Sequence, residues 1–166
     1  MIFLTVGTLY PFDRMVKAVD AAVGQGVVNE KIIAQIGTGG YEPKHLDFVE
    51  SVNKEAFDML VRESTAMISH AGMGSISAAI AMDKPLLVMP RLKSLGENIN
   101  DHQLAAAQRF AELGHVLAVF EHDDMPAKLR ALKDFVPQPR RTSVMTVVKR
   151  IDDFMSEVRA DRRDEW

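Results

Sequence analysis

The sequence predicts a doubly wound α/β domain built on a mostly parallel sheet. Two observations carry this. Short apolar, β-branched runs bounded by Gly, Pro or charge alternate with longer amphipathic segments. The strand-like runs also lead directly into the helix-like ones, which is the pattern of right-handed βαβ units with helices on both faces of the sheet.

Taken in order, "IFLTV" (2–6) is the first expected strand. A helix follows, with Phe12, Met15, Val16, Val19 and Val23 at i, i+3, i+4 spacing and Pro11 suited to its first turn. "KIIAQIG" (31–37) is the second strand, while "DFVES" (47–51) reads either as one more short strand or as part of a loop. "NKEAFDMLVRES" is a helix, "AMIS" (66–69) a strand, and "SISAAIAM" a helix capped by Ser75 or its neighbours. "PLLVMP" (85–90) and "VLAVF" (116–120) are strands that flank the helix "NDHQLAAAQRFAEL", for which Gly114 is a C-cap. A last amphipathic helix is expected over 143–158, within a C-terminal element (141–160) suited to packing on the sheet or docking a partner.

Composition narrows the function classes. One core, and hence a single domain over 1–166, suits a chain of 166 residues. Its apolar fraction of 47% and charged fraction of 26% are those of a globular protein, and no run reaches the roughly 18 apolar residues of a membrane span. The chain has no cysteine, so disulfides and thiolate metal sites are excluded. The start "MIFLTVGT" has neither a basic region nor a cleavage site, so a cytoplasmic location is expected. A net charge of −3 argues against nucleic acid as a partner; the basic positions Arg140, Arg141, Lys149 and Arg150 read as a solvated face before a lipid-headgroup contact.

Ligands of doubly wound sheets collect at the carboxyl ends of the strands, which here are "VGTLYPFD", "IGTGGYEP" and "SHAGMGS". In the last, Gly72 and Gly74 permit a tight turn with close backbone approach, and the helix start that follows is suited to a phosphate. Taken alone, such a turn is equally compatible with packing. The loop is no P-loop, because Gly-Lys-Ser/Thr occurs nowhere; it lacks the acidic partner of a dinucleotide fingerprint; and Met73 and Ser77 stand where a hydrolase elbow needs glycines. The segment after "PLLVMP" discriminates better, since Arg91, Glu97, Asn98, Asp101, His102 and Gln103 follow in quick succession. Asp101 serves equally as a ligand or as a helix cap.

"SHAGMGS", "KPLLVMPR" and "GENINDHQ", with the opening "TVGT" and the pair Phe12-Asp13, resemble the C-terminal, donor-binding domain of glycosyltransferase family 28. More closely, within that family the chain is similar to small single-domain subunits. These are of the kind found in the dolichol-linked GlcNAc transferase and in bacterial exopolysaccharide β-1,4-glucuronosyltransferases. The resemblance implies a Rossmann-like sheet forming one half of a GT-B fold and a UDP-sugar donor, with UDP-glucuronate ahead of UDP-GlcNAc and UDP-galactose. It also implies an acceptor-binding half on a separate membrane-anchored subunit that recruits this chain to the inner face of the membrane, and a lipid-linked saccharide acceptor. Carried over, Gly72, Met73, Gly74 and Ser75 would receive the diphosphate, and Gly7 and Thr8 would face the interdomain cleft. Glu97, Asn98, Asp101, His102 and Gln103 would border ribose or sugar. Many family members carry a ribose-binding glutamate where this chain has Ala78; either Glu97 or Asp101 replaces it, or the uridine is held differently.

A helix dipole and loop amides can take over a cation's role at a leaving diphosphate. No Asp-X-Asp motif occurs and the five histidines lack ligand spacing, so neither metal nor other cofactor is expected. "HDDM" reads as a helix start and "IDDF" as a solvated face. His70 is the candidate catalytic residue, in contact with donor phosphate or shaping the loop in preference to abstracting a proton. The competing expectations are a catalytically silent nucleotide-binding regulator or scaffold, and a dinucleotide oxidoreductase.

Overall fold

The computed structural model describes residues 1–8 and 10–139. The elements run β1 (Ile2–Thr5), α1 (Asp13–Gly24), β2 (Ile32–Gln35), β3 (Asp47–Val49), α2 (Lys54–Glu63), β4 (Ala66–His70), α3 (Met73–Ala81), β5 (Leu86–Met89), α4 (His102–Glu112), β6 (Leu117–Ala118) and α5 (Met125–Leu132). Short 3₁₀ turns precede α4 and α5, at Lys93–Leu95 and His122–Asp124. The expected helix at 143–158, the docking element at 141–160 and the basic positions from Arg140 onward lie outside the described residues. Among the described residues no helix is long and apolar enough to cross a membrane.

The strands form one sheet in the order β3-β2-β1-β4-β5-β6, and every pairing is parallel. Strand order therefore reverses between β1 and β4, whose register sets Thr5 beside Ser69. The crevice above that pair is the topological switch point, where such sheets bind ligands. Side chains alternate along the strands as the pleat requires. Ile2 and Leu4, Ala66 and Ile68, and Leu87 and Met89 pack with Met15, Val16 and Val19 of α1 and Met125 and Leu129 of α5. Phe3, Met67, Leu86 and Val88 join Val61, Ile76, Ala79 and Ala107 on the other face. Phe3 meets Phe57 of α2 edge to face, with centroids 5.6 Å apart.

Asn53 Oδ1 accepts from Ala56 N at 2.8 Å and caps α2, a cap not expected from the sequence. Other local features match the sequence expectation or correct it. Gly114 (φ +70°) closes α4 in a Schellman motif, with His115 N–H to Phe110 O at 3.0 Å and Gly114 N–H to Ala111 O at 2.9 Å. "DFVES" does contain a strand, the exposed edge β3, where Asp47 pairs with Lys31 at 2.7 Å. Pro11 does not enter the first turn of α1; it precedes the N-cap Phe12 and packs against Gly37 and Gly40, where a Cβ would collide with it. Helix α3 starts before Ser75, which is not its cap. Gly72 takes that position and no side chain caps the helix, so its first-turn amides have no acceptor within the helix. Beyond the helix start read in "HDDM", the sequence reading did not foresee α5, which buries Met125, Leu129 and Leu132.

Candidate functional site at the sheet switch point

The turn after β1 is held from beneath by two buried polar side chains. Thr5 donates to Gln35 Oε1 at 2.7 Å and accepts from Gly7 N–H at 3.2 Å. Gln35 Nε2 donates to the carbonyls of Gly7 and Glu50, both at 3.1 Å. Gly7 has φ +84°, a conformation that favours glycine, and its missing side chain leaves room for the His70 ring: a Cβ there would lie 2.8 Å from His70 Cε1. Gly72 approaches the same ring from the other side, and a Cβ on it would overlap His70 Nε2. The imidazole is thus set between two glycines at the end of β4, with Nδ1 3.2 Å from Ser69 Oγ. Burial, reinforced by the Arg91 charge and opposed by a hydrogen bond with the Thr5 main chain, lowers its pKa to about 4. The ring is neutral at pH 7.

Gly74 differs from Gly72. A Cβ on Gly74 would meet nothing within 4 Å, so no neighbour requires a glycine there. The open space is a cleft of about 550 Å³ walled by Gly7, Thr8, Thr38, Glu50, Val52, Phe57, Gly74, Ser75 and Ala78. A second cleft of about 730 Å³ lies on the other side of Gly7, Thr8 and His70, which line both; it is bounded by Phe12, Arg14, Arg91, Glu97, Asn98 and Gln103.

Of the expected site residues, Gly7, Thr8 and His70 stand between the clefts. Gly74 and Ser75 face the first, while Glu97, Asn98 and Gln103 face the second. Gly72, Met73, Asp101 and His102 line neither. Asp101 sits at the N-cap of α4 but its Oδ1 accepts from Lys93 N at 2.9 Å, and His102 contacts Asn100. Glu97 holds Arg14 in a bidentate pair, with both bonds at 2.8 Å, and accepts from Leu92 N at 2.9 Å. Neither Glu97 nor Asp101 shares a wall with Ala78; the carboxylates that do are Glu50 and Asp58. Asn98 lines the second cleft, and its Nδ2 is buried without a partner among the described residues.

The sequence does not single out Gln35 or Arg14 for the site, and it gives Arg91 only as one of the polar residues after β5. Gln35 has a local signal, a polar residue inside an apolar run. Arg14 had no signal, because its partner Glu97 is 83 positions away.

The doubly wound sheet in the order 3-2-1-4-5-6, with an uncapped helix start opening onto its switch point, is Rossmann-like, and it superposes on one half of GT-B glycosyltransferase folds. Residues 1–158 match the glycosyltransferase family 28 C-terminal domain, and the chain belongs to that family. The human UDP-N-acetylglucosamine transferase subunit ALG13 is 30% identical over 125 residues, which cover 69% of this chain and 10% of that protein. The chain therefore spans about a tenth of that relative's length. Among solved structures, the solution structure of ALG13 superposes with TM-score 0.56 at 23% identity, covering 90% of this chain and 93% of that one. MurG of Acinetobacter baumannii gives TM-score 0.60 at 17% identity over 81% of this chain and 42% of its own. Os79 of O. sativa, solved in complex with UDP, gives 0.61 at 14% over 80% and 32%. At these identities the superpositions establish the fold alone.

Proposed function

We propose that this chain is the UDP-sugar donor-binding subunit of a two-component inverting glycosyltransferase. Its partner is a membrane-anchored subunit that binds a lipid-linked saccharide acceptor and brings this chain to the inner face of the membrane. The carrying observation is Gly74: in a family 28 domain, a helix start at the switch point is left open by a glycine that no neighbour inside the protein requires. A diphosphate laid there meets the first-turn amides and the positive end of α3. As the sugar leaves, these fixed dipoles stabilise the charge growing on the diphosphate, and no metal or other cofactor is needed for that step. The nucleoside occupies the cleft beside Ala78, where Val52 and Phe57 supply apolar surface. The sugar reaches past Gly7 and Thr8 toward Asn98 on the wall of the second cleft. His70 shapes the junction as a neutral ring packed between Gly7 and Gly72. The donor is UDP-glucuronate, for transfer in exopolysaccharide synthesis, a choice resting on the resemblance carried by "KPLLVMPR" and "GENINDHQ". The human relative, a UDP-N-acetylglucosamine transferase subunit, favours UDP-N-acetylglucosamine as the alternative.

Titration calorimetry tests this. UDP binds the wild-type chain, while Gly74→Asp, which puts a carboxylate where the diphosphate lies, removes binding and leaves the fold intact. Binding unaffected by Gly74→Asp would exclude the α3 site. Competition between UDP-glucuronate and UDP-N-acetylglucosamine, without and with the partner subunit, decides the sugar.

A further inference from the structure

Arg91 follows β5 and Pro90 and is only 7% exposed. A buried guanidinium ordinarily faces a carboxylate. The nearby carboxylate, Glu97, is committed to Arg14 and to Leu92 N. Arg91 donates instead to three main-chain carbonyls: Val6 at 3.0 Å, Tyr10 at 2.7 Å and Pro11 at 2.9 Å. Its guanidinium also stacks 4.6 Å from the Phe12 ring centroid. Its own N–H is held by Gln103 Oε1 at 3.2 Å, and Gln103 is itself 7% exposed.

Val6 and Tyr10 flank Gly7 and Thr8, which line both clefts. One planar fork thus grips both sides of the turn, which Thr5 and Gln35 support from beneath. An arginine serving to bind an anion would direct its Nη hydrogens into the cleft, whereas three of the four here go to the main chain. A buried cation without a direct carboxylate partner is costly, and apolar packing would stabilise the fold at least as well. What the fork supplies beyond apolar packing is a single conformation for the turn.

We propose that Arg91 is a positioning residue: by gripping the carbonyls of Val6, Tyr10 and Pro11, its guanidinium fixes Gly7 and Thr8 in the conformation that receives the donor. The proposal rests on the UDP-sugar reading of the site. It requires the planar fork, which lysine lacks although it keeps the charge.

The test compares wild type with Arg91→Lys and Arg91→Met. In the free chains, amide hydrogen exchange at Gly7, bonded to Thr5 Oγ1, and at Val6, bonded to Gln35 O, accelerates about tenfold or more in both variants, while Leu4 and Ile68 in the central strands are unchanged. UDP affinity, measured by calorimetry, falls about tenfold in both, the equivalent of one charge-assisted hydrogen bond. Unchanged exchange at the turn overturns the proposal, as does faster exchange with unaltered UDP affinity. Affinity kept by Arg91→Lys and lost by Arg91→Met would mean that the charge acts on the ligand, and also overturns it. A wild-type chain that binds no UDP refutes the donor-site reading, and exchange alone then decides the clamp. Should either variant not fold, the wild-type guanidinium still answers by nuclear magnetic resonance. Resolved, slowly exchanging Nη–H signals support the grip, and averaged signals overturn it.

Discussion

The two glycines of "GMG" look alike in sequence and have opposite reasons for being glycine. Gly72 gives its side-chain space to the His70 ring, so Gly72→Ala must displace the ring and should cost about 2 kcal/mol. Gly74 has open space beside it on a helical turn, so Gly74→Ala should be neutral or stabilise by up to about 1 kcal/mol. Urea titration of the two variants separates these outcomes; equal losses would contradict the placement of His70. The same histidine gives a pH signature. Its pKa is about 4 in the folded chain and 6.5 unfolded, so the unfolded state binds the extra proton between those values. Stability therefore falls as pH drops from about 6.5 toward 4, by about 3 kcal/mol in total. His70→Gln should be flat across that window, and denaturant titrations at pH 7, 5.5 and 4.5 measure both slopes.

At the level of elements, a single buried carboxylate anchors one loop to α1. Asp20, 3% exposed, accepts from Tyr41 OH at 2.7 Å, Lys44 N at 3.0 Å and His45 N at 2.7 Å. Burial alone would raise its pKa, but the hydrogen bonds from Lys44, Tyr41 and His45 outweigh it and hold the group below the ordinary carboxylate value. That contribution is present above about pH 4 and is lost as pH falls further, a window below that of His70. Asp20→Asn puts an amide donor among donors and should destabilise by about 2 kcal/mol at pH 7, a deficit that shrinks at pH 3. Urea midpoints at the two pH values check this. The sequence made α1 legible, because its 3.6-residue periodicity is local. It hid the role of Asp20, whose partners lie 21 to 25 positions away. Distance likewise separated Arg14 from Glu97, and Arg91 from the carbonyls it grips 80 to 85 positions back. The Asn53 cap of α2 is seen only in the structure, and the cap expected at Ser75 or its neighbours was misplaced at α3, where Gly72 opens the helix and no side chain caps it.

At the scale of the molecule, strand alternation announced a doubly wound sheet but left open which strands are neighbours. The order 3-2-1-4-5-6 is what brings the turns after β1 and β4 together, so glycines more than 60 positions apart close on one histidine. A ligand bound at that junction touches both halves of the sheet, and it stabilises the whole fold by its mass-action term. At about 100 times its dissociation constant UDP should add about 2.7 kcal/mol, a rise in melting temperature of roughly 5–10 °C for a domain of this size. Uridine, lacking the diphosphate, should give a much smaller rise at equal concentration. Gly74→Asp should melt near the wild-type temperature and show no rise. Chelation should leave the UDP effect intact, because the proposed counter-charge is the α3 dipole and its amides. A rise abolished by chelator would assign the diphosphate to a metal. A rise equal for uridine and UDP would move the binding energy from α3 to the nucleoside cleft around Val52, Phe57 and Ala78.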